Sequence, residues 1–260
     1  MLQYADDTTL ITETEKDLKR LLGMVKKESC NHGLYLNLKK TKIMTNTALD
    51  EFYLDGESIE VVESFNFLGS TIHMDGGIEQ ELRRRLSLGR TALVKLTAVM
   101  KNHDVSRNTK VMLVKRLVFQ VALYGAESWT LKVKDKRRLN AFELWCWRRV
   151  LRISWTQKVR NEEVIKRIAP NITLEAMAVK KKLSYFGHVM RNRNGMGRDI
   201  MLGKTEGGRR RGRQRTRWIE EVTNSTDRTL DDLKEMALNR NAWKRVVHDV
   251  TRGRPRPDGR

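Results

Sequence analysis

Tyr4-Ala5-Asp6-Asp7-Thr8-Thr9-Leu10-Ile11 is the stretch on which the reading of this 260-residue chain turns. The run Thr8-Thr9-Leu10-Ile11 is β-prone, so Asp6 and Asp7 stand at the entry to a short strand. Adjacent carboxylates at a tight strand turn can face one cation-filled cleft. Hard divalent ions take oxygen ligands, and Mg²⁺ keeps one or two carboxylates plus substrate phosphates. Two such ions activate a 3′-hydroxyl and neutralise a leaving pyrophosphate. The pair alone is a weak signal, because a composition of this kind produces roughly one Asp-Asp by chance. The chain supplies its own control in Asp231-Asp232 after Thr229, which reads as an acidic first helical turn.

Outward from the pair, Thr14-Glu15-Lys16-Asp17 places a cap hydroxyl three residues before an acid, and Leu18, Leu21, Leu22 and Val25 follow at helical spacing. Asn31-His32-Gly33 stops that helix. Leu34, Leu36 and Leu38 alternate with Tyr35, Asn37 and Lys39, which predicts a half-buried strand. Asp55-Gly56 between Phe52-Tyr53-Leu54 and Ile59-Glu60-Val61 predicts a hairpin. Residues 64–72 are another β-prone run, closed by Asp75-Gly76-Gly77. Beyond Gly77 the period turns helical. Ile78, Leu82, Leu86, Leu93, Leu96 and Met100 mark one long helix, and further helices follow over about 111–121, 139–150, 174–186 and 233–247.

Charge divides the chain at the same place. Residues 1–77 hold 8 Lys/Arg and 13 Asp/Glu, whereas residues 78–260 hold 44 and 19, for a net of +20 overall. All six tryptophans lie in the second part. A basic field of this size has nucleic acid as its default partner, with an acidic membrane surface as the weaker option. No apolar run approaches 18 residues, so no membrane span is expected. Asp6 and Asp7 occupy the place of a signal peptide's apolar core. Cys30 and Cys146 are too few for a disulfide scaffold or a four-ligand zinc site, and the five histidines show no ligand spacing. The expectation is an intracellular protein, with the nucleus a plausible location. The tract 207–217 of Gly and Arg cannot pack and is expected to be an exposed arm near 203–217; the tail 252–260 is similar.

Tyr4-Ala5-Asp6-Asp7 resembles the catalytic hairpin of reverse transcriptases. Gly33-Leu34-Tyr35-Leu36-Asn37-Leu38-Lys39-Lys40-Thr41-Lys42 looks like the Gly-Leu…Asn…Lys-Thr block of non-LTR (LINE-like) retrotransposon polymerases, and Phe65-Asn66-Phe67-Leu68-Gly69-Ser70 like their primer-grip hairpin. The segments around Trp145-Cys146-Trp147-Arg148-Arg149, around Gly187-His188-Val189, and from Gly208-Arg209-Arg210 to Arg217-Trp218 resemble their basic C-terminal region. The resemblance implies an α+β chain of right-hand polymerase type. Residues 1–77 would be the C-terminal part of the palm with a small antiparallel sheet, 78–130 a helical thumb-like region, and 131–260 a basic helical nucleic-acid-binding region.

By that resemblance Asp6 is a metal ligand, Asp7 supports the metal pair, and the cofactor is Mg²⁺. Tyr4 lies against the primer end or the incoming nucleotide. Lys40 contacts nucleotide phosphates or protonates the departing pyrophosphate; flanked by Lys39 and Lys42, it reads equally as a solvated lysine. Asn37 and Thr41 read as structural. Phe67, Leu68 and Gly69 hold the primer backbone, while Phe65 reads as hairpin core. Arg83 and Arg84 lie on a helix that would follow the template–primer duplex, although three consecutive arginines (with Arg85) cannot share one helical face. Arg209, Arg210, Arg211, Arg213, Arg215 and Arg217 can fork onto phosphates, and Trp218 can stack on an unpaired base. The same cluster also reads as a nuclear-localisation signal or a solvated arm. Trp145 and Trp147 read as helix core and surface.

One departure matters. These polymerases carry another metal-binding Asp far upstream of Tyr-Ala-Asp-Asp, and here three residues precede Tyr4. The expectation is therefore a C-terminal fragment of an RNA-directed DNA polymerase, inactive alone, whose partners are an RNA template, a DNA primer and the missing upstream polymerase segment. A non-catalytic basic RNA- or DNA-binding remnant is the alternative, and a decayed reading frame a third.

Overall fold

The computed structural model describes residues 2–47, 49–192, 195–203 and 217–252. The chain divides into two compact units, Met1–Gly77 and Ile78–Arg260.

The first unit contains β1 (Leu2–Tyr4), β2 (Asp7–Thr9), α1 (Glu15–Asn31), β3 (Phe52–Leu54), β4 (Glu57–Ile59), β5 (Ser64–Phe67) and β6 (Ser70–His73). The strands form three separate antiparallel hairpins, β1-β2, β3-β4 and β5-β6. Each turns on two residues, of which at least the first has positive φ: Ala5 in β1-β2, Asp55-Gly56 in β3-β4, Leu68-Gly69 in β5-β6. Positive φ matches the right-handed strand twist that tight hairpins need. Thr14 starts α1, its Oγ1 accepting from the Asp17 N–H at 3.1 Å. A small core gathers Leu22 from α1, Phe52 and Leu54 from β3, Ile59 from β4, and Ile43. Ile43 is tied to the chain after β4 by a parallel bridge to Val61.

Two expectations fail here. Residues 34–38 make no strand. Asn37 captures this segment instead: its carbonyl accepts from the N–H groups of Lys40 and Thr41 at 3.0 and 2.9 Å, and its Oδ1 accepts from Lys40 N–H at 3.2 Å. Such local bonds compete directly with strand pairing. Leu36 and Leu38 still pack on the core, which explains their alternation. Phe65 is 37% exposed rather than core, because a two-stranded ribbon without a covering layer cannot bury both faces.

The second unit is helical: α2 (Glu79–Lys95), α3 (Thr97–Lys101), α4 (Arg107–Leu113), a π-helical turn Val114–Val118, α5 (Phe119–Ala122), α6 (Val133–Val150), α7 (Asn161–Ile168), α8 (Leu174–Arg191), α9 (Met196–Met201), α10 (Trp218–Thr226), α11 (Leu230–Leu238) and α12 (Arg240–Arg252). Helices with three small antiparallel sheets make the chain α+β, as its sequence implies. No helix among the described residues is long and apolar enough to cross a membrane.

Two long helices of the sequence reading are each broken. The Thr97 hydroxyl donates to the Val94 carbonyl at 2.5 Å, competing for a helical acceptor and ending α2 before α3. Asn239 separates α11 from α12, its Oδ1 accepting from Asn241 and Ala242 N–H at 3.0 and 3.1 Å as a cap. One core joins α2, α4, α5 and α6 around Phe119, Phe142, Trp147, Leu82 and Leu139. A second surrounds α8, with Leu183, Phe186, Val222, Leu233 and Trp243. Trp147 is fully buried and its Nε1 donates to Glu143 at 2.9 Å.

Candidate polymerase hairpin and basic helical faces

In the first unit, β1 and β2 pair with Leu2 opposite Thr9, Gln3 opposite Thr8 and Tyr4 opposite Asp7. Ala5 and Asp6 are therefore the turn, and Asp7 opens the returning strand. Directly opposed residues lie on one face of an antiparallel pair, so Tyr4 and Asp7 are neighbours while Asp6 caps the tip. Asp6, Asp7 and Tyr4 are all exposed, Tyr4 at 66%. Ala5 reaches φ +49° without being glycine, a local cost of about 1–2 kcal/mol. The turn thus spends strain to hold two carboxylates at its end.

The residues suit a hard cation in part. Two carboxylates with water and substrate phosphates satisfy one Mg²⁺. No group of three His, Cys, Asp or Glu able to hold a metal occurs among the described residues.

Lys40 sits in the turn that Asn37 organises; its side chain is exposed, and it makes no ion pair among the described residues. Asn37 and Thr41 act structurally, the Thr41 hydroxyl donating to the Asn37 carbonyl at 2.9 Å. Phe67, Leu68 and Gly69 come together at the tip of β5-β6, where Leu68 is 40% exposed at φ +47° and Gly69 follows at φ +77°.

In the second unit, the three arginines on α2 have different environments. Arg83 is exposed and donates to Glu79 at 2.6 Å. Arg84 donates twice to Glu81, at 2.8 and 3.0 Å. Arg85 is buried, donates to Glu81 at 2.7 Å and lies 4.2 Å over the Tyr124 ring. Glu79 also takes Lys134 and Arg138 of α6. Hydrogen bonds from Lys134 and then Arg138 hold its carboxyl at a pKa of about 2. This carboxylate gathering three cations was not visible in the sequence, since Glu79 and Lys134 are 55 residues apart.

Arg217 is exposed, and its N–H donates to Glu220 at 3.0 Å at the start of α10. Trp218 is half-buried: its Nε1 donates to the Glu127 carbonyl at 2.8 Å, and its ring meets Tyr185 edge-on at 6.3 Å. Arg209, Arg210, Arg211, Arg213 and Arg215 lie outside the described residues.

Residues 1–72 match the family model of the reverse transcriptase (RNA-dependent DNA polymerase). The chain is also similar to an uncharacterized transposon-derived protein of Caenorhabditis elegans, at 24% identity over 271 residues, covering 96% of this chain and 95% of the relative. No solved structure matches. That similarity runs through both units, whereas the family match coincides with the three hairpins. Over residues 1–72, which carry the Tyr4–Asp7 turn, the chain is similar to reverse transcriptases.

Proposed function

We propose that this chain is the C-terminal part of an RNA-directed DNA polymerase of non-LTR retrotransposon type, working on a template–primer duplex with Mg²⁺. The observation that carries this reading is the β1-β2 turn, which presents Asp6 and Asp7 together beside Tyr4, within the segment matching the reverse transcriptase model. Bound Mg²⁺ would lower the pKa of the primer 3′-hydroxyl and balance charge on the leaving pyrophosphate. Asp6 at the tip is the ligand with the freest approach. Asp7, one strand position on and opposite Tyr4, completes the pair. Tyr4 then lies where a primer end or nucleotide reaches the carboxylates. The exposed ammonium of Lys40 donates to phosphate oxygens or to the departing pyrophosphate. The tip of β5-β6 offers a backbone turn and the Leu68 side chain to the primer strand.

Two carboxylates satisfy one ion. Residues 1–260 by themselves are therefore expected not to polymerise, and a segment supplying the third acid, joined to the chain or added in trans, completes the site. The exposed faces of β1-β2, with Leu2 and Tyr4 both largely open to solvent, suit packing against such a segment. The test is nucleotide incorporation on an RNA-template, DNA-primer duplex with Mg²⁺. Purified residues 1–260 give no incorporation, a chain carrying the upstream polymerase segment is active, and Asp6→Asn abolishes that activity. Robust incorporation by residues 1–260 alone would overturn the incomplete-site reading. An active longer chain indifferent to Asp6→Asn would overturn the assignment of the turn and leave the non-catalytic nucleic-acid-binding alternative.

A further inference from the structure

The helices α2 and α6 lie side by side and run in the same direction. Glu79 meets Lys134 and Arg138 at one end, and Arg90 meets Trp145 further along. Between them Gly89 lets the two helices approach: a methyl group there would lie 2.8 Å from Phe142 Cζ. Apart from Glu79, the acids of these helices are turned to internal work. Glu81, Asp135 and Glu143 are buried. Glu81 takes Arg84 and Arg85, Asp135 takes Arg138 and the Lys132 N–H, and Glu143 takes the Trp147 indole and the Leu174 N–H. Arg90 and Arg149 are exposed and have no carboxylate partner among the described residues.

Trp145 organises this pair. Its ring stacks on Phe142 at 5.9 Å with 20° between planes. The Arg149 guanidinium lies 4.4 Å from its centroid and that of Arg90 5.9 Å. A guanidinium held over an aromatic face loses little freedom when it then forks onto a phosphate. With Phe142 on one side and the arginines beside it, Trp145 is a support for cations rather than a platform for an unpaired base. Arg138 and Arg149 stand about 16 Å apart along α6, with the buried Phe142 and the half-buried Trp145 between them on that row, so the phosphate contact is assigned to the Arg149 end.

We propose that Arg90 and Arg149, aligned by Trp145 on the α2-α6 face, form a clamp for the phosphate backbone of a nucleic-acid duplex, read without regard to sequence. Glu79, which engages Arg83, Lys134 and Arg138 at the end of the same face, limits how strongly that end attracts phosphate. This rests on the reading of the chain as one that acts on nucleic acid and assigns residues to its grip. Trp145 is a positioning residue, and the two arginines are the contacts.

The test measures binding of the full chain to a mixed-sequence RNA–DNA duplex and to a single strand of the same length, across a salt series. The double variant Arg90→Ala/Arg149→Ala should lose ten-fold or more in duplex affinity, and its log–log salt slope should fall by about two, since each phosphate contact contributes roughly 0.9 to that slope. Glu79→Gln should move affinity the opposite way, tightening it. Trp145→Phe, which keeps a flat ring under Arg149, should retain most of the affinity that Trp145→Leu loses. A folded double variant with wild-type affinity and slope overturns the clamp and leaves the polymerase reading untouched. Binding that favours the single strand, and is lost with Trp145 but not with the arginines, overturns it as well. A wild-type chain with no salt-sensitive affinity for either probe removes the nucleic-acid reading itself, and the clamp with it.

Discussion

Leu68 shows how a single residue can carry both strain and a candidate function. It occupies the left-handed region at φ +47° while 40% exposed. A branched apolar residue there costs about 1–2 kcal/mol, which Asn avoids because its short polar side chain tolerates that conformation. Little burial is available at the site to offset this cost. Leu68→Asn is therefore expected to stabilise the first unit by about 1 kcal/mol in denaturant unfolding, while weakening grip on a template–primer duplex if Leu68 holds the primer. Gain in stability with unchanged duplex affinity would detach the β5-β6 tip from primer binding. Ala5 carries the same kind of strain beside Asp6 and Asp7. Strained backbone at the tips of two exposed hairpins is where a site, rather than a core, is expected to retain it.

Among the elements, α8 and α12 are locked by a single missing side chain. A methyl group at Gly187 would stand 2.2 Å from Trp243 Nε1 and 2.3 Å from its Cδ1. The indole is buried there, donating to the Leu183 carbonyl at 2.8 Å. Helix propensity alone favours alanine over glycine by about 1 kcal/mol. Overpacking a fixed indole costs about 1–3 kcal/mol or more, so packing wins and the sign reverses. Gly187→Ala should destabilise the second unit by about 2 kcal/mol or more on denaturation, whereas Gly23→Ala, on α1 with nothing within 4 Å of the added carbon, should be neutral or stabilising. Equal effects at the two positions would show that α12 simply shifts to make room. Nothing next to Gly187 in the sequence calls for a glycine; the reason for one there is the indole 56 positions further along the chain.

At the scale of the whole molecule, each unit holds its own core, and in the second unit two cores are joined by a buried ion pair. Lys182 of α8 and Glu221 of α10 are both buried and bonded to one another. Glu221 Oε2 also accepts from the Leu131 N–H at 3.2 Å, linking α10 to the segment before α6. Burial pushes the Lys182 ammonium down in pKa, with Glu221 opposing. Glu221 Oε1 has no hydrogen-bond partner among the described residues, so within them the pair is not fully satisfied. Removing one partner of such a pair costs about 3–5 kcal/mol, whereas replacing both with apolar groups is often neutral. Lys182→Met should thus destabilise strongly, and Lys182→Met/Glu221→Leu should recover most of the loss in the same unfolding measurement. Additive losses would mean that the ion pair is a consequence of the packing and not a coupled unit.

Much of this architecture was legible from local chemistry. The Thr14 cap, the Asp55-Gly56 turn and the main helical stretches depend on residues within a few positions of each other, where turn and cap preferences act directly; the run over 64–72 read as β-prone, and its turn at Leu68-Gly69 came only with the resemblance. The α+β class and the similarity of residues 1–72 to reverse transcriptases followed from the resemblance carried by Tyr4-Ala5-Asp6-Asp7 and the blocks after it. The failures have a shared cause. The alternation at Leu34, Leu36 and Leu38 reported burial but not pairing, because Asn37 captured the backbone. The helices over 78–100 and 233–247 were split by a hydroxyl at Thr97 and an amide at Asn239, which apolar spacing does not weigh. What only the tertiary structure decided is which charges face whom. Trp145 between Arg90 and Arg149, three cations on Glu79, and Lys182 against Glu221 all join residues on different helices, and a one-dimensional pattern carries no information about contacts made across the space between helices.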